Sequence, residues 1–228
     1  MRILVVSDAH GESEALDRLA LKEPSPDFTI FGGDFAAIGR PETGKPVLER
    51  LSFHYDRLFA VTGNADGPEF RETLEDYDVC VEGSLVCYEG LMIAGSGGAS
   101  VFMRDTPNER PDEDLVGDLR LAEAASPGNG ELWDNLVVIA HNPPKDAKVD
   151  LITAGIHVGS PLIRAFAEAH KPLLLVSGHI HEAFGVDTIG PTTLVNPGSI
   201  AEGRYAVVEI EGGKGSPYRV ASVALETL

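Results

Sequence analysis

Five short apolar runs in this sequence are each followed by side chains that can bind a metal ion. In chain order these side chains are Asp8, His10, Asp34, Asn64, His141, His179 and His181. Imidazole, carboxylate and amide donors together suit divalent ions such as Mn, Fe, Ni or Zn better than Mg, which prefers oxygen ligands and water. Seven donors exceed the three or four protein ligands of a single catalytic zinc. The donor set therefore predicts two divalent ions that share at least one carboxylate.

The apolar runs themselves predict buried strands over residues 3–6, 28–31, 58–61, 136–140 and 173–176. Helical patterns over residues 12–22, 47–57, 112–125 and 161–170 alternate with the strands, as βαβ units require. In α/β sheets, ligands bind beyond the carboxyl ends of the strands. The seven donors are therefore expected to converge on one crevice, where neighbouring glycines permit sharp turns.

Two other regions predict antiparallel pairing. Residues 84–94 carry two strand-like runs on either side of Glu89-Gly90, which is typical of a hairpin. Residues 183–225 contain several short strand-like runs without a helical pattern. The predicted fold class is therefore α/β, with a mixed β-sandwich and helices outside it. Residues 95–111 are rich in Gly, Pro, Asn and Asp and predict a long mobile loop.

Composition and charge narrow the class of protein further. With 228 residues and 43% hydrophobic content, the chain can bury a substantial core, and one domain over residues 1–228 is expected. The formal net charge of −18 disfavours binding to long duplex nucleic acid and to anionic membranes.

No apolar run approaches the ~20 residues that span a bilayer, and no export signal is recognised. Cys80 and Cys87 lack disulfide or metal spacing, so a reduced, cytoplasmic protein is expected.

Taken singly, each of these metal-ligand motifs is weak, because such short patterns also occur in caps and turns. In this order and at these strand ends, they resemble the calcineurin-like metallophosphoesterase family. The signature of that family runs Asp-x-His, Gly-Asp, Gly-Asn-His-Asp/Glu, His and Gly-His-x-His, and the match extends from Asp8 to His181. The segment Asn196-Pro197-Gly198-Ser199 further resembles the small phosphoesterase and phosphodiesterase branch of the family.

The resemblance implies a four-layer sandwich, a small phosphoester substrate, and phosphodiesterase or phosphatase activity. It implies one ion at Asp8, His10 and His181, a second ion at Asn64, His141 and His179, and a bridging position at Asp34. The expected nucleophile is a hydroxide activated by the two ions, and no side chain becomes phosphorylated. Monoesters and diesters both remain open, because the same ligand set serves both.

One position departs from the signature. Where the family has a histidine in Gly-Asn-His-Asp/Glu, this sequence has Ala65, followed by Asp66. The general-acid or transition-state role of that histidine therefore does not transfer, and Asp66 is interpreted as a turn residue or a partner of the metal ligands. His157 is either an alternative proton donor or a residue that only forms hydrogen bonds. Arg104 and Arg110 either contact phosphate or are solvated loop residues.

Three other hypotheses fit parts of the pattern. A non-catalytic interaction scaffold on the same fold would be expected to have lost ligands, whereas all seven positions are filled. An amidohydrolase barrel would begin with His-x-His, which comes last in this sequence. A DNA-processing nuclease of the same family is the nearest alternative, and the acidic balance and the lack of a basic extension count against it.

Overall fold

The chain forms two large β-sheets with helices on their outer faces. The computed structural model describes residues 1–127, 131–213 and 215–228. Within these ranges the strands are β1 (Arg2–Val6), β2 (Phe28–Phe31), β3 (Leu58–Ala60), β4 (Leu85–Tyr88), β5 (Leu91–Ser96), β6 (Ala99–Ser100), β7 (Glu109–Arg110), β8 (Trp133–Ala140), β9 (Pro172–Val176), β10 (Gly185–Ile189), β11 (Thr192–Asn196), β12 (Arg204–Gly213) and β13 (Ser216–Thr227). The helices are α1 (Glu14–Lys22), α2 (Gly44–His54), α3 (Phe70–Asp76), α4 (Asp112–Gly117), α5 (Arg120–Ala125) and α6 (Pro161–His170).

Both sheets are mixed. The first has the strand order β13-β12-β1-β2-β3, in which β1, β2 and β3 are parallel and β12 pairs antiparallel with β1. The second has the order β10-β11-β9-β8-β5-β4, in which β11, β9, β8 and β5 are parallel and the two edge strands are antiparallel. Because parallel strands end at the same edge, the loops that follow them in each sheet lie together.

Alternation along the central strands divides the core into layers. In β1, Ile3 and Val5 pack between the two sheets, while Leu4 and Val6 pack with residues of α1 and α2 on the outer face. The outer face of the second sheet is covered in the same way by α4, α5 and α6. Strands buried on both faces require the continuous apolar runs that the sequence shows. The predicted class, an α/β fold with two mixed sheets flanked by helices, is confirmed.

Helix α6 forms over the residues predicted for it because its local signals are strong. Ser160 accepts a hydrogen bond from the N–H of Ile163, and Pro161 occupies the first helical position. Lys171 ends the helix with a left-handed φ of 47°. The prediction of a helix over residues 161–170 is confirmed at both ends.

Three predictions along the chain are corrected by the structure. The pattern over residues 112–125 forms two helices, α4 and α5, instead of one. Residues 95–111 are not a single loop, because β5 extends to Ser96 and the short strands β6 and β7 pair in parallel. The last two strands are long, at 10 and 12 residues, because β12 and β13 pair with each other along the side of the first sheet.

Two expectations drawn from composition concern membrane-spanning helices and the state of the two cysteines. In the part of the chain that the structure describes, no helix is long and apolar enough to cross a membrane. Cys80 is half-buried, Cys87 is exposed, and both are free thiols. Their state agrees with the spacing in the sequence, which favours no disulfide.

Candidate metal centre

The candidate ligands come from loops at the carboxyl ends of five strands. The first sheet supplies Asp8, His10, Asp34 and Asn64 after β1, β2 and β3, and the second supplies His141, His179 and His181 after β8 and β9. Contacts between the two sets join the sheets at this edge. The Nε2 atoms of His10 and His181 lie 3.1 Å apart. The Nε2 atom of His141 lies 3.0 Å from Oδ1 of Asn64.

A first group of ligand atoms is formed by Asp8, His10 and His181, whose ligand atoms all lie within 4.8 Å of one another. Oδ1 of Asp8 is 3.3 Å from Nε2 of His181. One carboxylate oxygen and two imidazole nitrogens at this separation can surround a single divalent ion. This is the trio that the family resemblance assigns to one ion.

A second group is formed by Asp8, Asp34 and His141, with the same spacing limit of 4.8 Å. Nδ1 of His141 lies 2.7 Å from the carbonyl oxygen of Gly32, to which it can donate its proton. That tautomer leaves Nε2 as an acceptor that faces another acceptor, Oδ1 of Asn64. Two lone pairs that face each other repel. A cation bound by both Nε2 of His141 and Oδ1 of Asn64 would remove this repulsion.

Both buried carboxylates are placed where they can be shared between the groups. Oδ2 of Asp34 lies 3.7 Å from Nε2 of His10 and 3.6 Å from Nε2 of His141. Oδ1 of Asp34 accepts the N–H of Ala65 at 2.7 Å, which fixes the carboxylate in this orientation. Asp8 belongs to both groups, so the geometry offers two bridging carboxylates instead of Asp34 alone.

His179 is placed beside these groups without belonging to either. The centre of its ring lies 5.2 Å from that of His141. Its backbone N–H donates to the Asp8 carboxylate, at 3.2 Å from Oδ1 and 3.3 Å from Oδ2. His179 therefore orients Asp8 through its main chain, while its side chain lies next to the second group.

The backbone at the candidate ligands is strained. Four of the seven have positive φ angles: Asp8 at 57°, His10 at 47°, Asp34 at 59° and His179 at 67°. A left-handed conformation costs a residue with a side chain roughly 1–2 kcal/mol. Strained backbone is common at functional sites, where the surrounding structure holds side chains in the positions that the function requires.

Two glycines allow the loops to approach this closely. A Cβ atom at Gly63 would collide with the carboxylate and the backbone nitrogen of Asp34. A Cβ atom at Gly33 would lie 2.6 Å from Nδ1 of His141, and Gly33 also has a φ of 103°. The glycines that precede Asp34 and Asn64 in the motifs are therefore required by the spacing of the ligands.

Gly63→Ala is expected to lower turnover by roughly 10²-fold, because a displacement of about 1 Å at a site can cost that much. The added methyl group must push Asp34 away from its position between the two groups. Elemental analysis of bound metal should show fewer ions per chain, while thermal unfolding checks that the variant folds. Gly117→Ala is the control, since its Cβ would meet nothing within 4 Å. Full metal content and parental turnover in Gly63→Ala would contradict the assigned geometry.

The pKa values of Asp8 and His179 favour cation binding. Burial acts to raise the pKa of Asp8, but the hydrogen bond from His181 and nearby imidazoles bring it to about 2. Burial and the charge of Asp8 raise the pKa of Asp34 well above its usual range, a repulsion that a cation would relieve. Burial lowers the pKa of His179 to about 3, so at neutral pH its imidazole is in the neutral form that binds metal.

Asp66 has a larger role than its position after Ala65 indicated. Its side chain is fully buried and accepts backbone N–H groups from Gly63 at 2.8 Å, Ala36 at 2.8 Å and Phe35 at 3.2 Å. Burial and the charge of Asp34 raise the pKa of Asp66 to about 7. Asp66 thus ties together the loops after β2 and β3, and nothing in the one-dimensional pattern predicted these three contacts.

Asn196 anchors the loop that carries two of the histidines. Its side-chain amide donates to the carbonyl of Ile180 at 2.9 Å, and its Oδ1 accepts the N–H of Gly198 at 2.9 Å. Ser199, three residues later, donates its hydroxyl to the carbonyl of Asp8 at 2.7 Å. The segment Asn196-Pro197-Gly198-Ser199 therefore supports the ligand loops.

The other residues singled out in the sequence are mostly engaged elsewhere. Nδ1 of His157 lies 2.6 Å from Oδ1 of the fully buried Asp150, which makes this pair an anchor of the loop between β8 and α6. The guanidinium of Arg110 is paired with Asp118 at 2.7 Å. Arg104 is exposed on the segment between β6 and β7. Of the two arginines, Arg110 is thus committed to an internal ion pair.

The chain is similar to known proteins in both sequence and fold. A family model described as calcineurin-like phosphoesterase matches residues 1–183. An uncharacterized protein of Methanocaldococcus jannaschii is 28% identical over an alignment of 203 residues, and the match covers 86% of this chain and 88% of that protein. A solved structure from Thermus thermophilus has a TM-score of 0.65 at 18% identity, over 91% of this chain and 93% of that one. A dimetal phosphatase of Danio rerio has a TM-score of 0.63 at 11% identity, over 100% and 98%.

The two solved structures establish the fold, because at identities this low a structural likeness carries no more than the architecture. The family model covers most of the chain, including all seven candidate ligands. Together with the ligand groups, it defines a metal-binding phosphoester hydrolase. The chain belongs to the calcineurin-like phosphoesterase family.

Proposed function

We propose that this protein hydrolyses a small phosphoester with two divalent ions bound by the seven candidate ligands, as a phosphodiesterase or a phosphatase. The observation that carries the proposal is the convergence of metal-ligating side chains whose carboxylates have no Lys or Arg partner in the described part of the chain. Nε2 of His141 faces Oδ1 of Asn64, and the buried carboxylates of Asp8 and Asp34 lie in the same cluster. Within the described residues, no Lys or Arg pairs with either carboxylate. Two divalent cations are the chemistry that this donor set fits.

The mixture of nitrogen and oxygen donors supports Mn, Fe, Ni or Zn as the ions, since Mg favours all-oxygen surroundings. When bound, two such ions lower the pKa of coordinated water and neutralise charge on the phosphate oxygens. The protein fixes the ligands for this task. The Gly32 carbonyl orients His141, and the Ala65 N–H orients Asp34.

The cavity beside Asn64 and His179 favours a small substrate over nucleic acid. Asp105 and Glu109 line the cavity next to Asn64 and His179, and among the described residues around that cavity none is Lys or Arg. The formal net charge of −18 acts in the same direction at longer range. A duplex DNA substrate needs basic contacts to its backbone, so this observation favours a small ester over the nuclease alternative.

A series of aryl and alkyl phosphoesters, assayed after reconstitution with Mn, Fe, Ni or Zn, tests the proposal. Aryl esters are expected to be hydrolysed much faster than alkyl esters, because Ala65 cannot protonate a poor leaving group and acid catalysis contributes roughly 10²–10⁴-fold. The rate should depend steeply on the pKa of the leaving group, and Ala65→His should make that dependence shallower.

The two parts of this experiment have separate outcomes. Absence of hydrolysis of every ester with every metal would refute the proposed function. A shallow dependence in the parent enzyme would show that another group already protonates the leaving group. His157 is a poor candidate for that group, because its Nδ1 is engaged with Asp150 and it does not line the cavity beside the centre.

A further inference from the structure

A cavity of about 310 Å³ opens directly beside the candidate centre. Asn64 and His179 are candidate metal ligands and also line this cavity. The cavity is therefore continuous with the place where a phosphoryl group would lie. Its volume is near the lower end of the 300–1,000 Å³ that is usual for small-molecule sites. The space therefore suits a single small substituent of the substrate and not an extended molecule.

The walls of this cavity are largely apolar. Val101 and Phe102 come from the segment between β6 and β7, while Ile152 and Val158 come from the loop between β8 and α6. Phe102 is 85% exposed and Val101 is 38% exposed. When a ligand covers exposed apolar surface beside a site, the burial favours binding by about 25 cal/mol per Å². A flat ring can also pack against the ring of Phe102.

The polar side of the cavity is acidic. Both carboxylate oxygens of Glu109 accept hydrogen bonds from backbone N–H groups of residues 102–106, among them those of Phe102 at 2.6 Å and Asp105 at 2.9 Å. Burial opposes ionisation, but these hydrogen bonds bring the pKa of Glu109 to about 2. Glu109 is therefore a fixed negative charge, and Asp105 lines the same wall. A second phosphate or a carboxylate on the substrate would be repelled here.

We propose that this cavity binds an uncharged, apolar substituent of the phosphoester, preferably an aromatic ring, while the phosphoryl group lies at the metal centre. This inference rests on the proposed function for the position of the phosphoryl group. It adds a substrate class, namely esters with one aromatic group and no second anionic group. The apolar side chains from the two segments provide selectivity that the metal ligands themselves cannot supply.

The test compares the affinities of phenylphosphonate, methylphosphonate and 4-carboxyphenylphosphonate for the metal-reconstituted protein, measured by calorimetry. Phenylphosphonate is expected to bind at least about 10-fold more tightly than methylphosphonate, since an apolar group that fills a pocket is worth roughly 10–200-fold. The added carboxylate should weaken binding relative to phenylphosphonate. Phe102→Ala and Ile152→Ala should each reduce the preference for the phenyl group without changing the affinity for methylphosphonate.

Phe53→Ala is the matched control, because Phe53 is 79% exposed on α2 and does not line the cavity. It should keep the parental preference. Equal affinities for phenyl and methyl phosphonates in the parent, or an unchanged preference in both cavity variants, would overturn the inference. Hydrolysis of bis(p-nitrophenyl) phosphate by the same preparations reports separately on the proposed function. Phenyl selectivity without hydrolysis of this diester or of any ester in the aryl and alkyl series would refute that function and leave the cavity assignment standing.

Discussion

Asp34→Asn is expected to lower phosphoester turnover by at least about 10³-fold, beyond the roughly 10–100-fold typical of changes next to metal ligands. The substitution keeps the shape of the side chain but removes its charge. Oδ2 of Asp34 lies 3.6–3.7 Å from Nε2 of both His10 and His141, so the lost charge lies between the two proposed ion positions. Steady-state kinetics at saturating metal, together with elemental analysis of bound ions, measure the effect.

Asp66→Asn is the matched control, because it makes the same chemical change one loop away. Asp66 accepts three backbone N–H groups, so an amide there turns one acceptor into a donor that faces donors. A stability loss of about 1–3 kcal/mol is expected, with at most about a 10–100-fold loss of turnover. Similar turnover and similar metal content in the two variants would show that Asp34 does not bridge the ions.

Removal of the metal is expected to abolish hydrolysis completely, and the untreated protein is expected to contain about two divalent ions per chain. The structure offers two groups of ligands that share Asp8, and each can surround one ion. Dialysis against a chelator, followed by return of Mn, Fe, Ni or Zn, should show loss and recovery of activity. Far-ultraviolet circular dichroism checks that the fold survives chelation.

The affinity for the ions should rise with pH. The hydrogen bond to Asp8 raises the pKa of His181, so a bound proton competes with the metal there as the pH falls. Metal retained on dialysis should accordingly decrease as the pH falls. One ion per chain at saturation, or activity that is insensitive to chelation, would contradict the two-ion site.

Much of the fold could be predicted because its signals are local. Continuous apolar runs predicted the central strands β1, β2, β3, β8 and β9, whose burial on both faces demands such residues. The hairpin of β4 and β5 followed from the turn at Glu89-Gly90. The break between α4 and α5 was not predicted, because the apolar pattern continues across it. Helix α3 was likewise not predicted.

Composition and order along the chain were enough to predict which side chains could act as ligands and that they follow strand ends. Three features could be found only in the folded chain: Asp8 is shared by two ligand groups, Asp66 joins two loops, and an apolar cavity opens beside His179. Each of these features depends on contacts between segments far apart in the chain. Nδ1 of His141, for example, lies 2.7 Å from the carbonyl of Gly32, 109 residues earlier. Such distances depend on how the two sheets pack. The periodicity of apolar residues predicts helices and strands but gives no information on that packing.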